Sequence, residues 1–125
     1  MGFLDAMMGN AGEVDPARAH QDFAQILTAN EHVARAYVLI RDMLIFTNRR
    51  LIVVDKQGLT GHKVEYHSIP YKSITHFSIE TAGHFDLDAE LKIWISGNPV
   101  PFQKQFNKRV NIYHVQAVLA DFVAR

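Results

Sequence analysis

A long alternation of apolar and polar residues between positions 84 and 96 restricts the fold of this chain more than any other feature. The odd positions carry the apolar side chains Phe85, Leu87, Ala89, Leu91, Ile93 and Ile95. The even positions are polar or charged, with the exception of Trp94. A period of two over this length predicts a β-strand that turns one face toward a core.

Short segments with the composition of strands fill most of the chain between positions 33 and 106. The predicted strands are 33–40, 43–47, 50–55, 63–69, 74–81, 85–96 and 100–106. Residues typical of turns, such as Asn48, Gly58, Gly83 and Pro99, separate many of them. Strands joined by short turns predict an antiparallel barrel or sandwich.

A helix is predicted on each side of the strands. Asp15 followed by Pro16 is typical of the first residues of a helix. The residues that follow form one apolar stripe at helical spacing: Ala19, Phe23, Ile26 and Leu27. This helix should end near residues 28–30. Asn111 is a second helix start, and its stripe consists of Ile112, Val115, Val118, Leu119 and Phe122. We expect the C-terminal helix to close one end of the curled sheet.

The length of 125 residues fits one domain, which we place at residues 15–125. Residues 1–14 are interpreted as an N-terminal tail. Its apolar side chains stand at helical spacing, so a frayed terminus and a short docking helix are both open interpretations.

Three sequence blocks resemble the bacterial pleckstrin-homology domain family: residues 46–50 (FTNRR), 54–58 (VDKQG) and 69–74 (IPYKSI). The resemblance covers nearly the whole chain. It implies a mainly β fold with helices, a pleckstrin-homology-like seven-stranded antiparallel barrel or sandwich capped by a C-terminal helix. The N-terminal helix is an addition to it. The resemblance also implies no enzymatic activity, and ring-like homo-oligomers.

The two predicted strands within residues 43–54 are apolar on both faces. An antiparallel sheet in a small domain normally turns one polar face to water, so something must cover the second apolar face. The cover could be the N-terminal helix, a second copy of the chain, or both together. The predicted interface residues are Met43, Ile45, Ile52, Val54 and Trp94.

Basic residues between positions 41 and 72 form a second candidate site. Arg41, Arg49, Arg50, Lys56 and Lys72 are the predicted anion-binding residues. Converging cations would bind an anionic lipid headgroup or a phosphorylated small ligand. The alternative is that these side chains are simply solvated, because arginine is common in exposed turns.

Charge and motifs exclude several functions. Thirteen basic residues balance thirteen acidic ones, so we expect no nucleic-acid partner and no contact with membranes. The chain has no cysteine, which suits the reducing cytoplasm. We find no catalytic motif and predict no enzyme, no catalytic residue, no metal site and no cofactor.

The sequence therefore predicts a non-catalytic module for homo-oligomerisation and protein–protein interaction. Its partners would be copies of itself, in an assembly that is possibly cyclic, and an unidentified protein. Recognition of an anionic headgroup or phosphorylated ligand by the basic residues is the alternative function.

Overall fold

The computed structural model describes residues 12–39, 42–57, 63–81, 89–106 and 110–124. The strands in this part of the chain are β1 (Gly12–Val14), β2 (Val33–Val38), β3 (Asp42–Thr47), β4 (Arg50–Gln57), β5 (Lys63–Pro70), β6 (Ile74–Thr81), β7 (Ala89–Ile95) and β8 (Phe102–Phe106). The helices are α1 (Pro16–Asp22) and α2 (Ile112–Val123), and short 3-10 turns lie at Ala24–Ile26 and Tyr71–Ser73.

The chain divides into two compact units, residues 1–69 and 70–125. The first unit holds a five-stranded sheet in the order β1-β2-β3-β4-β5. Strands β1 to β4 pair antiparallel, and Ile45 lies opposite Ile52 across the β3–β4 hairpin. A β-bulge between Val33 and Arg35 interrupts the register of β2 with β3.

Helix α1 packs on β2 and begins as predicted, since the Asp15 carboxylate accepts a hydrogen bond of 3.2 Å from the Ala17 amide. The helix ends at Asp22, however, and a 3-10 turn follows it, whereas the sequence predicted a helix to residues 28–30. Within this 3-10 turn, the Arg50 guanidinium donates a hydrogen bond to the Ile26 carbonyl. Leu27 then adopts an extended backbone.

The second unit holds a three-stranded antiparallel sheet in the order β6-β7-β8. Helix α2 packs against β6 and against the turn at Tyr71–Ser73. Asn111 caps α2 as predicted, because its side-chain oxygen accepts from the amides of Tyr113 and His114 at 3.1 and 3.2 Å. Near the other end of the helix, Phe122 stacks on Tyr71 with ring centroids 4.7 Å apart.

The predicted alternation around Trp94 is confirmed over the described part of that segment. Leu91 and Ile93 are fully buried on one face of β7, while Glu90, Lys92 and Trp94 lie on the other. Positions 84–88 lie outside the described residues. Gly12–Val14, the last three residues of the predicted N-terminal tail, pair with β2.

Candidate interaction site

The outer apolar face of β3 and β4 is covered within the chain itself. Each of the side chains Met43, Ile45, Ile52 and Val54 has an exposed fraction of 0%. They form one cluster with Ala19 of α1 and with Phe23, which follows it, and with Ala36 and Val38 of β2.

This burial corrects the predicted interface at those four residues. The apolar outer face of β3 and β4 must be covered, and α1 with the turn after it covers it. A second copy of the chain is therefore not needed on this face. In this arrangement the four side chains have no surface to offer a partner. Their burial also explains why this small sheet is apolar on both faces.

Trp94 lies elsewhere, on the outer face of the three-stranded sheet. Its ring stacks on His76 of β6, with centroids 4.3 Å apart and planes 14° from parallel. The Thr75 hydroxyl donates to the Trp94 carbonyl at 3.2 Å and therefore accepts from Nδ1 of His76, which is 3.0 Å away. Trp94 is half-buried and His76 is exposed. Trp94 thus packs within its own unit and keeps part of its surface open, and its role in an interface stays a prediction.

Arg50, whose side chain is half-buried, forms an ion pair with the fully buried carboxylate of Glu31. Its guanidinium binds both carboxylate oxygens of Glu31, at 2.8 and 3.0 Å, and donates to the Ser68 hydroxyl at 2.7 Å. The Thr47 hydroxyl donates to the same carboxylate at 2.6 Å, and the Thr28 amide donates to it at 3.0 Å. In the described part of the chain, no buried side-chain polar atom lacks a partner. We call these residues the Glu31–Arg50 network.

The electrostatics of this network hold Glu31 ionised. Burial alone would raise the pKa of the Glu31 carboxyl, whose side chain has no exposed surface. The hydrogen bonds from Arg50, Thr47 and the Thr28 amide, together with the charge of Arg50, outweigh that effect and lower the pKa to about 2. Arg50 and Glu31 therefore neutralise each other at physiological pH.

The other predicted anion-binding residues do not form one described cluster of cations. Arg49 is exposed in the β3–β4 turn. Lys56 lies six residues beyond Arg50 on β4, which is about 20 Å along an extended strand. Lys72 is exposed in the turn at Tyr71–Ser73 of the second unit, and Arg41 lies outside the described residues. Arg50 is paired with Glu31, and Arg49 and Lys56 are too far apart to share one small ligand, so anion binding by these residues stays a prediction.

A feature that the sequence interpretation missed is the free edge of β6. This strand is the outermost of its sheet, and no other described strand pairs with its second edge. It reads ITHFSIET and contains no lysine, arginine, proline or glycine. Natural edge strands usually carry such residues or are very short, because a bare edge invites a further strand.

The other sheet edges show those protective features. Strand β1 has three residues, and β5 carries Lys63, Glu65 and a terminal Pro70. Strand β8 has five residues with Lys104 at its centre, which lies 5.2 Å over the Phe102 ring. Strand β6 is eight residues long, and it is regular from His76 onward, after a bulge near its start.

The side chains of β6 are incompletely covered on both faces. On the inner face, Phe77 and Ile79 remain half-buried, although their cross-strand neighbours Ile93 and Leu91 are fully buried. On the outer face, the exposed Glu80 lies directly opposite Glu90, a like-charge pair that destabilises a sheet. Lys92 lies 3.9 Å from Glu90, and no described residue forms an ion pair with Glu80.

Together, the two sheets and the C-terminal helix of the described residues define a small, mainly β protein. The family model for the bacterial PH domain matches residues 2–123, and the chain belongs to that family. The family resemblance and the fold class predicted from the sequence are confirmed. Proteins of this class are generally non-catalytic binding modules.

Relatives and solved structures agree with this assignment. The uncharacterized protein YjqA of Bacillus subtilis (strain 168) is 55% identical over 121 residues, which cover 96% of this chain and 97% of YjqA. The crystal structure of a pleckstrin homology domain from Shewanella amazonensis SB2B is similar, with a TM-score of 0.81 and 50% identity, covering 97% of this chain and 98% of that one. The crystal structure of a DUF1696 family protein with a pleckstrin-homology domain from Shewanella loihica PV-4 is also similar, with a TM-score of 0.80 and 52% identity. The match covers 90% of this chain and 97% of that one.

Neither a membrane-spanning helix nor a metal-binding cluster occurs among the described residues. None of their helices has the length and apolar character that crossing a membrane requires. They also contain no group of three or more histidine and acidic side chains that could hold a metal ion.

Proposed function

We propose that this chain is a non-catalytic module that binds proteins and assembles with copies of itself by adding a strand at the edge of β6. The observation that carries the proposal is the eight-residue edge of β6, which pairs with no other described strand and contains no lysine, arginine or proline. The absence of cysteine suits a reducing compartment, and we place the module in the cytoplasm.

Strand addition suits this edge for a physical reason. Backbone N–H and C=O groups on the outer side of β6 have no partner strand among the described residues. An added strand would satisfy them and would also cover the half-buried Phe77 and Ile79. Main-chain hydrogen bonds give such a contact its affinity, and the alternating side chains give it specificity.

The structure gives the alternative function less support. An anionic headgroup needs several cations within reach of one another, yet Arg50 is paired with Glu31, and Arg49 and Lys56 are far apart. We therefore do not propose a phosphate-binding or lipid-binding activity as the main function.

Sedimentation velocity from low to high micromolar concentration tests the proposal, at low and at high salt. We expect a concentration-dependent oligomer that persists at high salt, because backbone hydrogen bonds and apolar contacts are not screened as charge pairs are. A chain that stays monomeric throughout this range contradicts the self-assembly. An oligomer that dissociates at high salt contradicts strand addition and points back to the basic residues.

A further inference from the structure

The outer face of the three-stranded sheet carries an aromatic pair at one end and, at the other, a carboxylate without an ion-pair partner among the described residues. We propose that this face binds a basic segment of a partner protein, in which one arginine lies against His76 and Trp94 and a second cation pairs with Glu80. The face is separate from the free edge of β6, so the inference goes beyond the proposed function.

The described part of this face consists of three cross-strand rows. They are His76 with Trp94, Ser78 with Lys92 and Gln103, and Glu80 with Glu90 and Gln105. All of these side chains keep part of their surface exposed. The first and the last row lie four residues apart along β6, which is about 14 Å on an extended strand. A partner therefore needs two separate groups to reach both rows.

The first row offers a hydrogen-bond acceptor beside a ring stack. The Thr75 hydroxyl donates to the Trp94 carbonyl and accepts from Nδ1 of His76, so the proton of the neutral imidazole lies on Nδ1. Nε2 of His76 is then the acceptor of this exposed side chain. A guanidinium is complementary to this row, because it donates hydrogen bonds and its planar face packs on aromatic rings.

The last row lacks a counter-charge. Glu80 lies directly opposite Glu90, and two like charges at this spacing destabilise a sheet. Lys92 lies 3.9 Å from Glu90, whereas no described residue forms an ion pair with Glu80. A cation from a partner would compensate Glu80 and reduce the repulsion between the two glutamates.

The charges of the three rows favour a basic partner over an acidic one. Among their described residues, one lysine stands against two carboxylates. A nucleic acid or an acidic peptide would be repelled at Glu80 and Glu90. An extended segment with two arginines four positions apart would place one guanidinium at each end of the face, because its residues repeat at the same distance as those of β6.

Titration of the chain with a synthetic peptide tests this surface. The probe carries two arginines four positions apart among glycines and serines, and the control peptide carries glutamate at both positions. The fluorescence of Trp94, the single tryptophan, reports contact at the first row, and calorimetry measures the affinity independently. We expect saturable binding of the arginine peptide that weakens at high salt, and no binding of the glutamate peptide.

Glu80→Gln separates binding from stability. The substitution removes the repulsion with Glu90, so the variant should be at least as stable as the wild type in thermal unfolding. Its affinity for the arginine peptide should nevertheless fall about fivefold, which corresponds to the loss of one exposed ion pair. Glu65→Gln on β5 is the matched control, because Glu65 is exposed on the other sheet and the change of charge is the same.

Lys92→Gln gives a change of the opposite sign. Lys92 is the one cation in the described part of the three rows, and it lies beside Glu90. Its removal makes the face more acidic, so the affinity for the arginine peptide should rise by a few fold.

The outcomes distinguish this proposal from the proposed function. If no saturable binding occurs up to about 1 mM arginine peptide, or if the glutamate peptide binds equally well, the basic partner is overturned. Equal effects of Glu80→Gln and Glu65→Gln overturn the assignment to this face. Self-assembly is measured without any peptide by sedimentation velocity, so either proposal can fail while the other stands.

Discussion

The two sheets of this molecule differ in how completely their apolar side chains are covered. The five-stranded sheet is apolar on both faces of β3 and β4, and these side chains are completely buried. The three-stranded sheet has a polar outer face, a partly exposed Trp94 and an edge strand with half-buried apolar residues. The apolar faces of β3 and β4 in the first sheet are fully covered. In the second sheet, one edge of β6 has no partner strand among the described residues.

The hydrophobicity of a sequence segment does not by itself locate an interface. The most apolar strands are the ones that α1 covers, and the strand with the stronger case for a partner is amphipathic. What separates them is their position in the sheet. A central strand has both edges paired, while an edge strand leaves half of its backbone groups available.

The largest expected effect within the five-stranded sheet is the loss of Arg50. Arg50→Ala leaves the Glu31 carboxylate buried without its counter-charge, and we expect the free energy of unfolding to fall by about 4 kcal/mol in urea titration. Arg49→Ala, at the exposed neighbouring position, should change it by less than about 0.5 kcal/mol. Equal effects of the two substitutions would contradict the assigned role of Arg50.

A cavity under α1 should have the next largest effect. Ile45→Ala removes a fully buried side chain between the sheet and α1, and we expect a loss of about 3 kcal/mol in the free energy of unfolding. The dissociation constant of the assembly should not change in this variant. A change in assembly without a loss of stability would restore the interface that the sequence predicted at this residue.

Low pH should lower the free energy of unfolding by protonating Glu31 in the Glu31–Arg50 network. The pKa of Glu31 is about 2 in the folded chain, below its ordinary value of 4.5, so its contribution to stability is fully present above pH 4.5 and is lost as the pH falls through 2. The shift corresponds to roughly 3 kcal/mol. Urea titrations at decreasing pH should show this loss in the wild type and a clearly smaller one in Glu31→Gln, and parallel curves would contradict it.

The smallest expected effect concerns the three-stranded sheet. His76→Ala removes the ring that stacks on Trp94, and we expect a loss of about 1 kcal/mol in the free energy of unfolding at dilution. The fluorescence of Trp94, the single tryptophan of the chain, reports the same change directly. Gln103→Ala on the same face serves as the control and should leave both the fluorescence and the stability unchanged.

Much of the fold could be predicted because strands and helix starts are encoded by residues close together in the sequence. The alternation around Leu91 and Ile93 identifies the inner face of β7, and Asn111 marks the start of α2. The cover over Ile45 could not be decided in advance, because a helix of the same chain and a second copy satisfy the same apolar pattern.

The candidate site was harder to predict because its features depend on contacts distant in sequence. Arg50 looks like any arginine beside a turn, and its partner Glu31 lies nineteen residues earlier in the chain. The edge position of β6 follows from the order of strands in the sheet, which the strand sequences do not contain. The lack of lysine, arginine and proline in β6 is the one local signal that could have drawn attention to it.

Backbone amide hydrogen exchange at low and high protein concentration tests the contrast between the two sheets most directly. We predict that amides within residues 76–80 gain protection as the concentration rises, while those of β3 and β4 are equally protected at both concentrations. Protection that rises with concentration in β3 and β4, and not in β6, would contradict strand addition at the edge of β6.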